Sequence, residues 1–241
     1  MLVNPPGETS WELGGFRVLA EKRSASGPIG GDFFLCHLRG PKRLAVVIGD
    51  ACGRGTEAAK LLPSVLPGLE QLIASVSGPS QLLQQLNQRL AGRLANDCFV
   101  TGAAFEIDAE QETLTVANAG HVPALLRRAD GRVTVIGQAL GPPLGILPEF
   151  SYPEECCRFR SGDLIVLMTD GMLEAVETDL TGMPNLSALV AQAPGGSKEV
   201  HRRLLVHLAD ATQNQSTDDV TLLSLELMGT ESTVAKAQPT I

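Results

Sequence analysis

Apolar residues run almost unbroken through residues 33–38 and again through 44–48, separated by the turn-forming Arg39-Gly40-Pro41-Lys42. Short runs rich in aromatic and β-branched residues, punctuated by glycine and proline, predict strand, turn and strand. With the turn centred on Pro41, an antiparallel register sets Asp32 opposite Asp50. Directly opposed residues have Cβ atoms roughly 4.5–5.5 Å apart, where like charges destabilise, so this hairpin calls for a cation at its open end.

The rest of the chain alternates between strand and helix patterns. Residues 16–20 predict a strand leading into a loop over 24–31. Thr56 is a candidate helix cap, with Glu57 in the first turn. Leu61, Leu62, Val65, Leu66, Leu69, Leu72 and Ile73 follow at spacings of three and four, although Pro63 and Pro67 are expected to kink or break that helix. Ser80 is the candidate cap of a second helix whose apolar face is Leu82, Leu83, Leu86, Leu90 and Leu94. Both helices should pack together over a sheet.

From residue 98 the pattern returns to β. Residues 99–107 and 113–117 predict a second hairpin, and 124–128 with 132–136 a third. The glycine- and proline-rich 140–148 reads as a shaped loop. A short strand is expected near 157–159. Residues 164–168 are apolar throughout, as in a central strand covered on both faces. A helical stretch over 172–176, an unassigned segment at 179–197, a helix over 197–211 and an alternating strand at 220–227 complete the reading. Residues 1–13 are expected to be loose apart from Trp11, a candidate anchor, and 229–241 to be a disordered tail. One domain over 14–228 lies between them.

Composition narrows the function classes. A net charge of -8 disfavours a sequence-independent hold on nucleic acid or an electrostatic membrane anchor, and 44 % hydrophobic residues suffice for a large core. No apolar run approaches the roughly 18 residues of a spanning helix, and the N-terminus has no secretory pattern, so the expected location is cytoplasmic. Five cysteines without Cys-x-x-Cys spacing read as buried thiols in a reducing compartment.

The chemistry-bearing residues sit where strands end. Asp32, Asp50, Asp170 and the pair Asp218-Asp219 each stand at the end of an apolar strand. Singly, such an aspartate merely begins or ends a strand. If the ends coincide, four or five carboxylates converge, raise one another's pKa and require counter-cations. Carboxylate, carbonyl and water oxygens suit hard ions such as Mg²⁺ or Mn²⁺, and two such ions roughly 3.5–4 Å apart suit phosphoryl chemistry. His121, in Asn118-Ala119-Gly120-His121, reads either as a structural hydrogen-bonder in a turn or as a metal ligand or general acid. The glycine loop 51–55 lacks the Lys-Ser/Thr pair of a nucleotide-binding loop.

Five motifs in order give the sequence a family resemblance. They are Gly30-Gly31-Asp32-Phe33-Phe34, Gly49-Asp50-Ala51-Cys52-Gly53-Arg54-Gly55, Asn118-Ala119-Gly120-His121, Thr169-Asp170-Gly171 with Glu174-Ala175, and Asp218-Asp219-Val220-Thr221-Leu222-Leu223. The chain resembles the metal-dependent, type 2C-like protein serine/threonine phosphatases, in their sporulation stage II E-like branch. That resemblance implies an α+β fold, a four-layer αββα sandwich of two stacked antiparallel sheets flanked by helices. It implies two divalent cations, Mn²⁺ or Mg²⁺, with Asp50 bridging them and the Ala51 carbonyl on one. Asp170 and Asp218 would hold the other ion, Asp32 would reach the second directly or through water, and Asp219 would tune the site or substitute as a ligand. The implied activity is hydrolysis of a phosphoserine or phosphothreonine protein, an anti-sigma-factor antagonist being a typical substrate, by water activated between the ions rather than by a catalytic side chain. The resemblance also implies that the two helices after Gly55 can act as a switch. The chain departs from many relatives at Leu35 and Cys52, and Pro63 and Pro67 alter the first switch helix. No sensory domain is recognised before the motifs, so regulation is expected from a partner or from homodimerisation. A non-catalytic phosphoprotein- or metal-binding regulator, and a hydrolase of small phosphate esters, are the alternative readings.

Overall fold

The computed structural model describes residues 2–3, 7–25, 30–53, 56–95, 98–138, 141–176, 183–213 and 218–229, with the side chains at 2, 3, 56 and 57 left aside. One six-stranded antiparallel sheet has the order β1 (Leu2–Val3), β4 (Asp32–Leu38), β5 (Arg43–Ala51), β6 (Val100–Asp108), β7 (Thr113–Ala119) and β10 (Glu154–Arg158). A second has the order β2 (Thr9–Leu13), β3 (Phe16–Arg23), β12 (Val220–Leu227), β11 (Leu164–Met168), β8 (Ala124–Arg127) and β9 (Val133–Ile136). Helices α2 (Leu62–Ser75) and α3 (Pro79–Leu90) cover the first sheet. Helices α4 (Asp170–Val176), α5 (Pro184–Gln192) and α6 (Ser197–Thr212) cover the second.

Three separate cores make this a four-layer αββα sandwich. Side chains alternate between the faces of a strand. Phe33 and Leu35 of β4 therefore meet α2 and α3, while Phe34 and Cys36 meet the other sheet. Along β11, Ile165 and Leu167 join the inter-sheet core, and Leu164, Val166 and Met168 join the core under α4–α6. These strands read as continuous apolar runs because both faces are covered. The β4–β5 register pairs Asp32 with Asp50, Phe34 with Ile48 and Leu38 with Leu44, as the turn at Pro41 predicts.

Several expectations are corrected. The N-terminal segment is not loose up to residue 13: Thr9–Leu13 pairs with β3 from Thr9↔Ala20 to Leu13↔Phe16. Its Trp11 lies 6.5 Å from Phe34 between ring centroids, so the expected anchor does dock. The break expected in the helical pattern across 57–73 does occur, between α1 (Thr56–Ala59) and α2, but neither proline sits at it. Pro63 falls in the first turn of α2, where its missing N–H leaves no intrahelical bond unmade, but Pro67 is carried inside the helix. Ser80 is not the cap of α3, which begins at Pro79 after Gly78. Instead the Glu154 carboxylate accepts from Ser80 N at 2.8 Å, and Ser80 Oγ donates to the Tyr152 carbonyl at 2.6 Å. The unassigned stretch contains α5. Of the five cysteines expected to be buried thiols, Cys36 alone is buried. The tail beyond 229, the loop core 26–29 and Arg54-Gly55 lie outside the described residues.

Candidate metal centre

The antiparallel topology brings the start of β4, the end of β5, the end of β11 and the start of β12 to one end of the sandwich. Asp32 and Asp50 come from the first sheet, and Asp170 and Asp218-Asp219 from the second. All the sequence-predicted carboxylates therefore gather there. Asp50 shows the consequence: its carboxyl is pushed up to about 9, first by burial and then by Asp32, Asp170, Asp218 and Asp219. The Asp170 carboxyl is raised by burial and by Asp218 and Glu174, and its Oδ1 accepts from Gly171 N at 2.9 Å. Clustered like charges favour the protonated form unless a cation relieves them.

Local backbone opens a space between these donors. A Cβ on Gly31 would lie 2.9 Å from both Asp50 Oδ1 and the Ala51 carbonyl oxygen, and 2.6 Å from Ala58 Cβ. These two oxygens thus border one small cradle that only glycine leaves open. Gly171 serves a different need, since a Cβ there would collide with the Asp219 carbonyl and separate α4 from β12.

Asp32 is occupied in another way. Its side chain is buried, and Oδ2 accepts from Thr169 Oγ1 at 2.7 Å across the two sheets. Thr169 Oγ1 in turn accepts from Thr221 N at 2.8 Å. Among the described residues, Asp32 Oδ1 is buried without a hydrogen-bond partner, an atom that a water would satisfy. Burial pushes the Asp32 carboxyl up to about 7, the Thr169 and Thr221 hydroxyls pull it down, and Asp219 and Asp170 push it further up. Lys22, which the motif reading passed over, donates from Nζ to the Asp32 carbonyl at 2.6 Å. Burial lowers its pKa against the opposing pull of Asp32 and Asp219.

The adjacent pair divides its tasks. Asp219 accepts from Ser24 Oγ at 3.0 Å, Ala25 N at 2.9 Å and Gly31 N at 2.8 Å, so its carboxylate fixes the loop beside β4. Asp218 Oδ1 accepts from Asp219 N at 2.8 Å. His121 is buried, with Nδ1 2.9 Å from Thr101 Oγ1, and its backbone is held by Asn118 through His121 N–Oδ1 at 2.8 Å and Nδ2–His121 O at 2.9 Å. Thr101 is the β6 partner of Asp50 and donates to its carbonyl at 3.4 Å. Burial lowers the His121 pKa to about 4, which suits a neutral hydrogen-bonder behind β5 rather than a proton donor near neutral pH.

Among the described residues, no three carboxylate, imidazole or thiol side chains surround one point closely enough to hold an ion unaided. What is present is carboxylates from two sheets and the Ala51 carbonyl, a set of hard oxygen donors that fits Mg²⁺ or Mn²⁺.

The family model for stage II sporulation protein E (SpoIIE) matches residues 40–228. The chain belongs to the SpoIIE family. It is 25 % identical over 222 residues to the phosphoserine phosphatase RsbU of Bacillus subtilis, covering 91 % of this chain and 64 % of RsbU. It is 24 % identical over 155 residues to the phosphoserine phosphatase RsbP of the same organism, covering 63 % of this chain and 38 % of RsbP. The chain thus spans less than two thirds of the length of either relative. The fold is that of the PP2C phosphatase domain of B. subtilis SpoIIE, with a TM-score of 0.77 at 21 % identity over 88 % of this chain and 63 % of that one. RsbX, solved in complex with magnesium, matches with a TM-score of 0.71 at 18 % identity over 91 % of this chain and 99 % of RsbX.

Proposed function

We propose that this SpoIIE-family chain is a divalent-metal-dependent protein serine/threonine phosphatase. The observation that carries the proposal is the meeting of Asp50 with Asp170 and Asp218 from the opposing sheet, in an arrangement that strongly disfavours the ionised Asp50 carboxylate until cations bind. Two phosphoserine phosphatases among its relatives and a magnesium complex among its structural neighbours support the same reading.

In this account Asp50, the Ala51 carbonyl, Asp170 and Asp218 would hold two Mn²⁺ or Mg²⁺ ions between them. Such ions supply Lewis-acid polarisation of the phosphoryl oxygens and a water of lowered pKa. The protein's own groups set the geometry. Asp219 holds Ser24, Ala25 and Gly31 in place, Thr169 ties Asp32 to the β11 end that carries Asp170, and Lys22 fixes the Asp32 backbone. Asp32, whose buried Oδ1 makes no hydrogen bond among the described residues, would hold the second ion directly or through a water. The substrate is a phosphoserine or phosphothreonine protein, an anti-sigma-factor antagonist being one of that class.

Hydrolysis of para-nitrophenyl phosphate tests the reading. Turnover is expected with Mn²⁺, none with chelator, and none for Asp50→Asn. Equal turnover by the wild type and Asp50→Asn would reject it.

A further inference from the structure

Acidic residues outnumber basic ones in this chain, 27 against 19, yet four of its arginines line a single cavity of about 360 Å³. Arg128 and Arg132 reach it from the turn between β8 and β9, and Arg158 and Arg160 from the end of β10 and the segment that leads into β11. This is the end of the sandwich opposite the carboxylate centre. The five residues of β11 lie between the cavity and Asp170, a span of roughly 17 Å at about 3.3 Å per residue.

Asp163 locks both segments together. Its buried carboxylate accepts from Ala129 N at 3.1 Å on Oδ1, and from Arg160 N at 3.0 Å and Arg128 Nη1 at 2.9 Å on Oδ2. Arg128 Nη1 also donates to the Arg158 carbonyl at 2.6 Å. Arg128 and Asp163 thus spend their charges on the frame. The other three arginines stand out from it, with side chains 80 % exposed at Arg132, 70 % at Arg158 and 57 % at Arg160. Arg132 Nε donates to Asp130 Oδ2 at 2.8 Å and Arg160 Nε to Glu112 Oε2 at 2.8 Å. Arg158 Nη1 lies 3.7 Å from that same Glu112 oxygen, beyond hydrogen-bond reach. One carboxylate therefore serves two guanidinium groups, and ion pairs as exposed as these contribute little. A guanidinium carries five N–H donors, so the cluster keeps donors to spare on a fixed backbone, in the fork geometry that matches phosphate oxygens.

We propose that this cavity is a binding site for a diphosphate group. Its arginines approach from two sides, Arg132 from one turn and Arg158 with Arg160 from the other segment, so two linked phosphates meet both sides where a single phosphate meets one. Ala129 is the one apolar residue of the lining, which leaves charge and hydrogen bonding as the means of recognition. The volume suits a small ligand. A phosphate carries more charge than the carboxylates of Asp130 and Glu112 and displaces them from the exposed guanidinium groups. The site lies apart from the carboxylate centre, and the proposal does not rest on the phosphatase reading.

The test is calorimetric titration of the protein, stripped of metal and dialysed, at low ionic strength, where the carboxylate centre repels anions. The probes are inorganic pyrophosphate, inorganic phosphate, adenosine diphosphate and hexaglutamate. The wild type is expected to bind one pyrophosphate per chain, at least about tenfold more tightly than phosphate. Arg158→Gln/Arg160→Gln and, from the other side of the cavity, Arg132→Gln should each weaken pyrophosphate at least about tenfold. Arg202→Gln, an exposed arginine on α6, should bind like the wild type. Thermal unfolding checks that each variant is folded. Whichever of pyrophosphate and adenosine diphosphate binds more tightly identifies a free diphosphate or a nucleotide as the source, and either supports the proposal. Absence of pyrophosphate binding in the wild type, or binding that survives both sets of substitutions, would overturn it. So would phosphate binding as tightly as pyrophosphate. Hexaglutamate binding more tightly than pyrophosphate, and lost with the same substitutions, would overturn it in favour of an acidic protein segment.

Discussion

Thr169→Val removes one hydroxyl and keeps the side-chain shape. That hydroxyl donates to Asp32 Oδ2 at 2.7 Å and accepts from Thr221 N at 2.8 Å, in a place where Thr169 is fully buried and Asp32 is 1 % exposed. The substitution leaves a buried carboxyl oxygen and a buried backbone N–H without partners. Hydrogen bonds to charged groups contribute about 1.5–3 kcal/mol, and an orphaned buried donor costs about 1–3 kcal/mol. Partial relaxation makes about 2–4 kcal/mol a reasonable total, or a fall in Tm of roughly 4–16 °C for a chain of this size. Thermal unfolding in chelator, so that metal binding does not enter, measures it. The decisive form is a double-mutant cycle with Asp32→Asn, in which touching partners should show a coupling of about 1 kcal/mol or more. Additive effects of the two substitutions would show that the inter-sheet bond does not exist in solution.

Other predictions concern charge and space. Asp50→Asn should stabilise the metal-free protein by ~2–4 kcal/mol near pH 8, because burial and four neighbouring carboxylates disfavour the native charge; an unchanged or lower Tm in chelator would count against that. The pH sense follows: with folded values raised to about 7 for Asp32 and about 9 for Asp50, their stabilising contribution is complete below about pH 4 and is lost as pH rises through those values. His201 behaves oppositely, since burial lowers its pKa to about 4, and its contribution is complete above about pH 6.5 and is lost as pH falls toward 4. His201→Gln should therefore flatten the acid side of the Tm–pH curve, by up to about 3 kcal/mol, and an unaltered slope would contradict the buried neutral imidazole. Gly171→Ala should lower Tm by more than about 10 °C, because its methyl group would meet the Asp219 carbonyl; a wild-type melting curve would refute that contact.

The layer order was implied by the ordered family motifs, whereas the apolar run of β11 made legible only that this strand is covered on both faces. The Asp32–Asp50 pairing was legible for a local reason: one tight turn sets the register of the whole hairpin. Thr9–Leu13 was not, because it is an edge strand of mixed Thr-Ser-Trp-Glu-Leu composition whose pairing with β3 is set by tertiary context. The α3 cap was hidden because Glu154, which accepts from Ser80 N, lies far away in sequence. Among the site residues, Thr169 and Thr221 stood inside quoted motifs without a role, since their hydroxyl and amide partners appear only when the sheets stack. Lys22 had no local signal at all. It is the β3 partner of Thr221, and that pairing turns its amine toward the Asp32 carbonyl.

The most direct test of the central claim is a calorimetric titration of the metal-free protein with Mn²⁺, comparing wild type, Asp32→Asn and Asp50→Asn. If Asp50 joins two ions and Asp32 acts through water, wild type takes up two ions per chain. Asp50→Asn then loses at least tenfold in affinity, about 1.4 kcal/mol or more, and Asp32→Asn loses less. Equal Mn²⁺ affinity in wild type and Asp50→Asn would contradict the account.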